Sequence, residues 1–186
     1  MSIYNDLFTR AQQEQRMVGI RSNTGEPGRF AVGFVQSYSE EVLLLRVINR
    51  DGMQTGLQSF NLSDVFQVDF NDQYIRNVEF KANNLDRVYA SVKTPPFLAS
   101  QELNTPYLLE MAREHEQLVY LSTYLSTTFY GYVRQLTERE LLLECYTEFG
   151  MADGMAAIRV EDVRNVVWSD EDTRVIELHL KLRAGG

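Results

Sequence analysis

From Arg29 to Lys81 the chain runs through blocks rich in β-branched, leucine and aromatic residues, RFAVGFVQS, VLLLRVIN, LQSFNL, VFQVDF and YIRNVEFK, separated by short polar turns. Blocks of this length and composition predict strands. Ahead of them, Ile3, Leu7, Phe8 and Ala11 recur at helical spacing and predict a short amphipathic helix over residues 3–15, with Asn5 and Asp6 near its start suiting the helix dipole. Residues 16–22 read as a first strand, followed by the Gly and Pro loop SNTGEPGR. Near the other end, RVIELHLKLR alternates Ile176, Leu178, Leu180 and Leu182 with Glu177, His179, Lys181 and Arg183. That period of two predicts a strand with one face in a core and one in water, which puts His179 at the surface.

The same pattern occurs twice. Residues 33–79 align without a gap on residues 131–177 at an offset of 98, with 15 of 47 positions identical, far above the roughly three that average residue frequencies produce by chance. The helix PYLLEMAREHEQ matches residues 5–16 at an offset of 101, pairing Phe8 with Leu109 and Ala11 with Ala112, so the loop between the first two strands is three residues longer in the first copy. The repeat predicts a first unit over residues 1–81, a connector over 82–104 and a second unit over 105–186. In the connector, Leu85, Val88, Tyr89 and Val92 predict a short helix ended by Pro95-Pro96; Asn104-Thr105-Pro106 then reads as a cap followed by proline at the first helical position. Gly52 and Gly56 recur as Gly150 and Gly154. Strand-like sequence without lysine follows both pairs, so they read as turn or bulge glycines rather than a phosphate cradle.

The fold class expected is therefore mainly β with short helices, a tandem repeat of two small barrels, each an N-terminal helix plus about five bent antiparallel strands. A helix followed by such strands, with Gly33 or Gly131 in the second and an apolar-rich third, resembles the Sm-like fold and related SH3-like barrels. The residues that line the RNA pocket in that family are mostly replaced. Counting from Gly33, its Asp and Asn positions hold Ser39 and Leu43; from Gly131 they hold Thr137 and Leu141. Its Arg-Gly motif falls on Phe60-Asn61-Leu62 and Ile158-Arg159-Val160, where only Arg159 matches. The resemblance implies assembly through edge strands, with a tandem chain equivalent to two fused protomers in a ring-like or dimeric homo-oligomer.

Charge bears on the choice of partner. The net charge is −8, and it is uneven: residues 1–98 hold 10 basic and 11 acidic side chains, residues 99–186 hold 8 and 15. A phosphate backbone is bound by clusters of Lys and Arg, which the second copy lacks. The leading expectation is a non-enzymatic protein-interaction or assembly module whose partner is itself or another protein. The alternative is RNA or single-stranded nucleic-acid binding, disfavoured by the net charge, through Arg21, Arg29, Arg50, Arg76 and Arg159 with Tyr38, Phe66 and Tyr74 as stacking residues. His115 and His179 share no motif, and Glu40, Asp64 and Glu79, which recur as Glu138, Asp162 and Glu177, read as turn and strand-face residues. No catalytic, cofactor or metal motif is present, and the single cysteine, Cys145, reads as a small buried hydrophobe. With no long apolar run and no signal-like N-terminus, a cytoplasmic protein is expected.

Overall fold

The computed structural model describes residues 3–23, 30–91 and 103–185. The chain divides into two compact units, Met1–Asp86 and Arg87–Gly186. In the first, helix α1 (Ile3–Gln13) precedes strands β1 (Met17–Ser22), β2 (Phe30–Tyr38), β3 (Val42–Ile48) and β4 (Gln54–Asn61). A 3₁₀ turn at Leu62–Asp64 then leads into β5 (Val65–Phe70) and helix α2 (Gln73–Ala82); the short helix α3 (Leu85–Val88) spans the boundary, with Val88 belonging to the second unit. The second unit repeats this with α4 (Thr105–Glu114), β6 (Leu118–Thr123), β7 (Thr128–Leu136), β8 (Glu140–Tyr146), β9 (Ala152–Arg159), a 3₁₀ turn at Val160–Asp162, β10 (Val163–Trp168) and α5 (Glu171–Ala184). From β2 to β5 every boundary recurs 98 residues later in β7 to β10. The fold is mainly β, as the repeat implied.

Both sheets are antiparallel and have the same order, β4-β3-β2-β1-β5 in one and β9-β8-β7-β6-β10 in the other. The order forces each sheet to curl. Its two edge strands are consecutive in sequence and joined by a three-residue turn. Four spacings of about 4.8 Å would put the edges of a flat five-stranded sheet roughly 19 Å apart, whereas a 3₁₀ turn rises only about 2 Å per residue.

Two devices permit the bend, and both are duplicated. A register shift between Val35 and Ser37 on β2 recurs between Val133 and Gln135 on β7, as a bulge that increases local twist. At Gly33 and Gly131 the neighbouring strand approaches so closely that a Cβ would lie 2.1 Å from the Arg46 carbonyl oxygen and 2.3 Å from that of Glu144. Gly52 and Gly150 adopt φ of 82° and 66° in the turns between the third and fourth strands, as their turn reading required.

The concave interior is apolar. Phe8, Ala11, Val18, Ile20, Val35, Leu43, Leu45 and Phe60 form the core of the first unit; Leu109, Ala112, Val119, Leu121, Val133, Leu141, Leu143 and Ile158 form that of the second. Phe8 and Leu109 are fully buried at matching positions, so the offset pairing of the two helices holds. Cys145 is buried in the second core, and burial raises its thiol pKa. Ile3, although at helical spacing, is 76% exposed and outside the core.

Two expected strands are helices. YIRNVEFK forms α2, and RVIELHLKLR forms most of α5. Each is started by an aspartate, Asp72 accepting from the Ile75 amide at 2.7 Å and Asp170 from the Thr173 amide at 2.9 Å, directly after a left-handed residue, Asn71 or Ser169. Such capping nucleates a helix. The i, i+2 pattern of α5 misled because its apolar residues are spread around the helix: Thr173 and Ile176 are buried, and so is Val175 on a different side. Arg174 of α5 also donates to the carbonyls of Val88 and Ala90. Glu79 and Glu177 consequently lie on helices rather than strand faces. Their carboxylates accept the amides of Met17 and Leu118, at 2.9 and 3.4 Å, and so tie each C-terminal helix to the start of the first strand.

The close approach at the second strand is testable. Gly33→Ala and Gly131→Ala are each expected to lower unfolding free energy by about 3 kcal/mol, because backbone must move to admit the methyl group. Gly154→Ala, which meets nothing within 4 Å but sits at φ 80°, is expected to cost only about 1 kcal/mol. Urea unfolding followed by circular dichroism measures all three.

Candidate functional site

The same local geometry opens a cleft in each unit, between the second-to-third strand turn, the 3₁₀ turn and the start of the N-terminal helix. In the first unit it measures about 700 Å³ and is lined by Tyr4, Asn5, Glu40, Glu41, Val42, Asn61, Leu62 and Ser63. In the second it measures about 900 Å³ and is lined by Thr105, Pro106, Glu138, Arg139, Glu140, Arg159, Val160 and Glu161, with Tyr124 and Val163. Backbone bonds hold the two turns together: the Leu62 amide donates to the Glu41 carbonyl at 2.7 Å, and Val160 to Arg139 at 2.9 Å. Side chains fix the hairpin turns, Ser39 Oγ accepting from the Glu41 and Val42 amides and Thr137 Oγ1 from those of Arg139 and Glu140. Asp64 and Asp162 take part through their carbonyl oxygens, which accept from Asn23 and Tyr124. The walls are thus fixed by main chain, and the side chains that face the cleft are free to differ.

They do differ, and mostly by charge. Among the described residues the first cleft presents Glu40 and Glu41 and no cation. The second presents Arg139 and Arg159 among Glu138, Glu140 and Glu161. Arg159 lies 3.8 Å from Glu161 with both side chains at least 70% exposed, a pair that solvent screens to little net energy. Carboxylates outnumber guanidiniums in both clefts, which opposes a phosphate backbone. Among the described residues neither lining contains histidine or cysteine.

The other basic candidates are not gathered around either cleft. Arg21 lies 3.5 Å from Asp69 and stacks at 4.3 Å on Phe30, which in turn stacks on Tyr74 at 5.8 Å. Arg50 projects from the β3–β4 turn beside Asp51, its side chain 84% exposed. Arg76 is exposed on α2, and Arg29 lies outside the described residues. Among the aromatic candidates, Tyr38 packs on Phe8 at 5.5 Å and its hydroxyl lies 2.6 Å from Thr9 Oγ1, so it serves the core. Phe66 stands 48% exposed on edge strand β5. Sequence reasoning overlooked Arg139, which reaches the second cleft only because the topology sets its turn beside the end of β9.

The histidines are also apart. His115 closes the C-terminus of α4. His179 lies partly buried on α5 rather than on a strand surface, and burial, with a smaller contribution from Arg183, pushes its pKa down to about 4. Around this helix the second unit replaces an apolar layer with tyrosines. Where the first unit packs Met17, Val32, Ile48, Ile75 and Val78, the corresponding positions are Leu118, Tyr130, Tyr146, Thr173 and Ile176. Tyr130 stacks with Tyr120 at 5.2 Å and donates to Asp172 at 3.2 Å. Tyr132 meets Tyr146 edge-on at 5.8 Å, and burial followed by the Glu177 charge pushes the Tyr132 hydroxyl up to about 12.

Among the described residues no group of three or more His, Cys, Asp or Glu side chains is placed to hold a metal ion, and no helix is long and apolar enough to cross a membrane. Comparison with protein-family models, curated proteins and solved structures gives no match.

A pH dependence follows from His179. The folded chain keeps the imidazole neutral down to about pH 4, while the unfolded chain binds the proton near pH 6.5. Its contribution is complete above pH 6.5 and declines as pH falls towards 4. Because the imidazole is only half-buried and solvent screens part of the effect, His179→Gln is expected to lose about 1 kcal/mol less stability than the unmodified chain between pH 7 and pH 4.5, as read from urea midpoints at the two pH values.

Proposed function

We propose that this chain is a non-enzymatic assembly module, two Sm-like barrels in tandem whose sheet edges pair with further copies of the same chain. The observation that carries this reading is the character of the edges. Edge strand β4, QTGLQSFN, contains no charged residue and no proline, and its Leu57 is 61% exposed. Its counterpart β9 is uncharged from Gly154 to Ile158, with Met155 55% exposed. Edge strands carry unpaired backbone donors and acceptors and are normally guarded by charge, proline or a covering element. The helix ahead of five bent strands and the bend-permitting glycine in the second support the Sm-like reading.

Nucleic-acid binding finds less support, because the basic candidates are dispersed or paired and the cleft that contains Arg159 has an acidic excess. Light scattering on a size-exclusion column is expected to give a mass that is a multiple of 21.5 kDa at micromolar concentration. Leu57→Lys combined with Met155→Lys should reduce that mass to the monomer with little change in melting temperature. A monomer in the unmodified chain would overturn the proposal. RNA binding that weakens steeply with salt would transfer the reading to nucleic acid.

A further inference from the structure

Comparison of the two units points to Arg46, a cation whose Nε finds no hydrogen-bond acceptor among the described residues. On the outer side of the second unit, Glu144 of β8 pairs across the strands with Tyr132 of β7, and Arg134, next to the β7 bulge, donates to the Glu144 carboxylate at 2.6 Å while its guanidinium lies 5.1 Å from the Tyr132 ring centre. The arrangement is a closed set of ring, acid and base. The bond to Arg134 lowers the Glu144 pKa and raises that of Arg134.

In the first unit the ring is kept and the charges are rearranged. Phe34 stands for Tyr132, Gln36 for Arg134 and Arg46 for Glu144. Arg46 pairs across the strands with Phe34 and places its guanidinium 4.9 Å from the ring centre. Here no acid lines the site among the described residues. The Arg46 Nε is shielded from solvent and makes no hydrogen bond among the described residues. A shielded guanidinium N–H without an acceptor is costly. The group opens into a pocket of about 540 Å³ lined by Gln12, Gln15, Phe34, Val35, Arg46 and Asn83, a size typical of small-molecule sites. None of these residues is acidic. The Gln12 amide is held by the carbonyls of Val35 and Gln36 at 3.4 and 3.2 Å, and the amides of Gln15 and Asn83 complete a polar rim.

We propose that this pocket binds the carboxylate of a small organic acid, with Arg46 as its counter-ion. The acid supplies the counter-charge that Glu144 supplies within the second unit, against a guanidinium already laid on an aromatic face. One cation among amides suits a monoanionic carboxylate; a phosphate group, with a charge approaching −2, draws more than one. The site shares no lining residue with the cleft that contains Asn61 and does not depend on edge pairing.

The test is a titration of the full chain with acetate, followed by the Arg46 Nε–H resonance in nitrogen-15 NMR, with chloride at equal ionic strength and neutral acetamide as controls. Acetate is expected to produce a saturable shift at millimolar concentration, while acetamide and chloride produce none. Arg46→Met, which keeps an unbranched apolar stem, should abolish saturable changes at the Gln12 and Asn83 amides. Gln36→Arg with Arg46→Glu rebuilds the internal pair of the second unit; this double variant should fold and also lose acetate binding. A shift that chloride reproduces, a response that does not saturate, or binding retained in the double variant would each overturn the proposal. Should Arg46→Met fail to fold, the double variant and the acetamide control decide the matter.

Discussion

Everything in each unit depends on joining the two edges of one sheet with three residues. That constraint converts a five-stranded meander with one strand carried across into a curled sheet, and it dictates where side chains can be large. Leu43, Leu45, Leu141 and Leu143 fill the concave side. Gly33 and Gly131 stand where the second and third strands approach most closely, with no room for a Cβ. Burial of the leucines supplies the driving force, and the glycines with their adjacent bulges let the backbone follow it. The 3₁₀ turn that closes the edges also builds the cleft, since its first amide is bonded to the carbonyl of the neighbouring hairpin turn in both units.

Once the main chain holds the curl, the surface can diverge between copies at little cost to the fold. The units keep their boundaries, bulges and helix-tying glutamates, while five of the ten charged positions of residues 33–79 have a different charge or none in the second copy. Among the described residues the charged side chains of one cleft are acidic and those of the other mixed. Beneath the C-terminal helix, an apolar layer in the first unit corresponds to a tyrosine layer in the second. The cross-strand pair Arg134–Glu144 becomes Gln36 and Arg46. The asymmetry is chemical rather than architectural, so two units of one shape can present different surfaces to whatever they contact.

Local pattern made the first five strands of each unit and the N-terminal helix legible, because a half-buried strand needs apolar side chains on its inward face and turns need glycine or short polar residues. It failed at α2 and α5. A helix with apolar residues on more than one side contains i, i+2 repeats that resemble a strand, and α5 has buried residues on different sides. The corrective signal was present in Asn71-Asp72 and Ser169-Asp170, each a left-handed residue followed by an N-cap, and the aspartate is identical in the two copies.

The candidate sites were legible only in part, for a different reason. Arg159 could be singled out by its position in the repeat, but its neighbour Arg139 becomes one only when the curl sets two turns side by side. Arg46 reads in the chain as an ordinary charge in an apolar strand. What the amino-acid sequence determined by itself was duplication, strand content, the buried positions and the charge imbalance, since these follow from local spacing and composition. Which side chains meet, which helices close the sheets, and that the Arg46 Nε has no acceptor among the described residues were decided by tertiary structure, because each depends on strand pairing between residues distant in the chain.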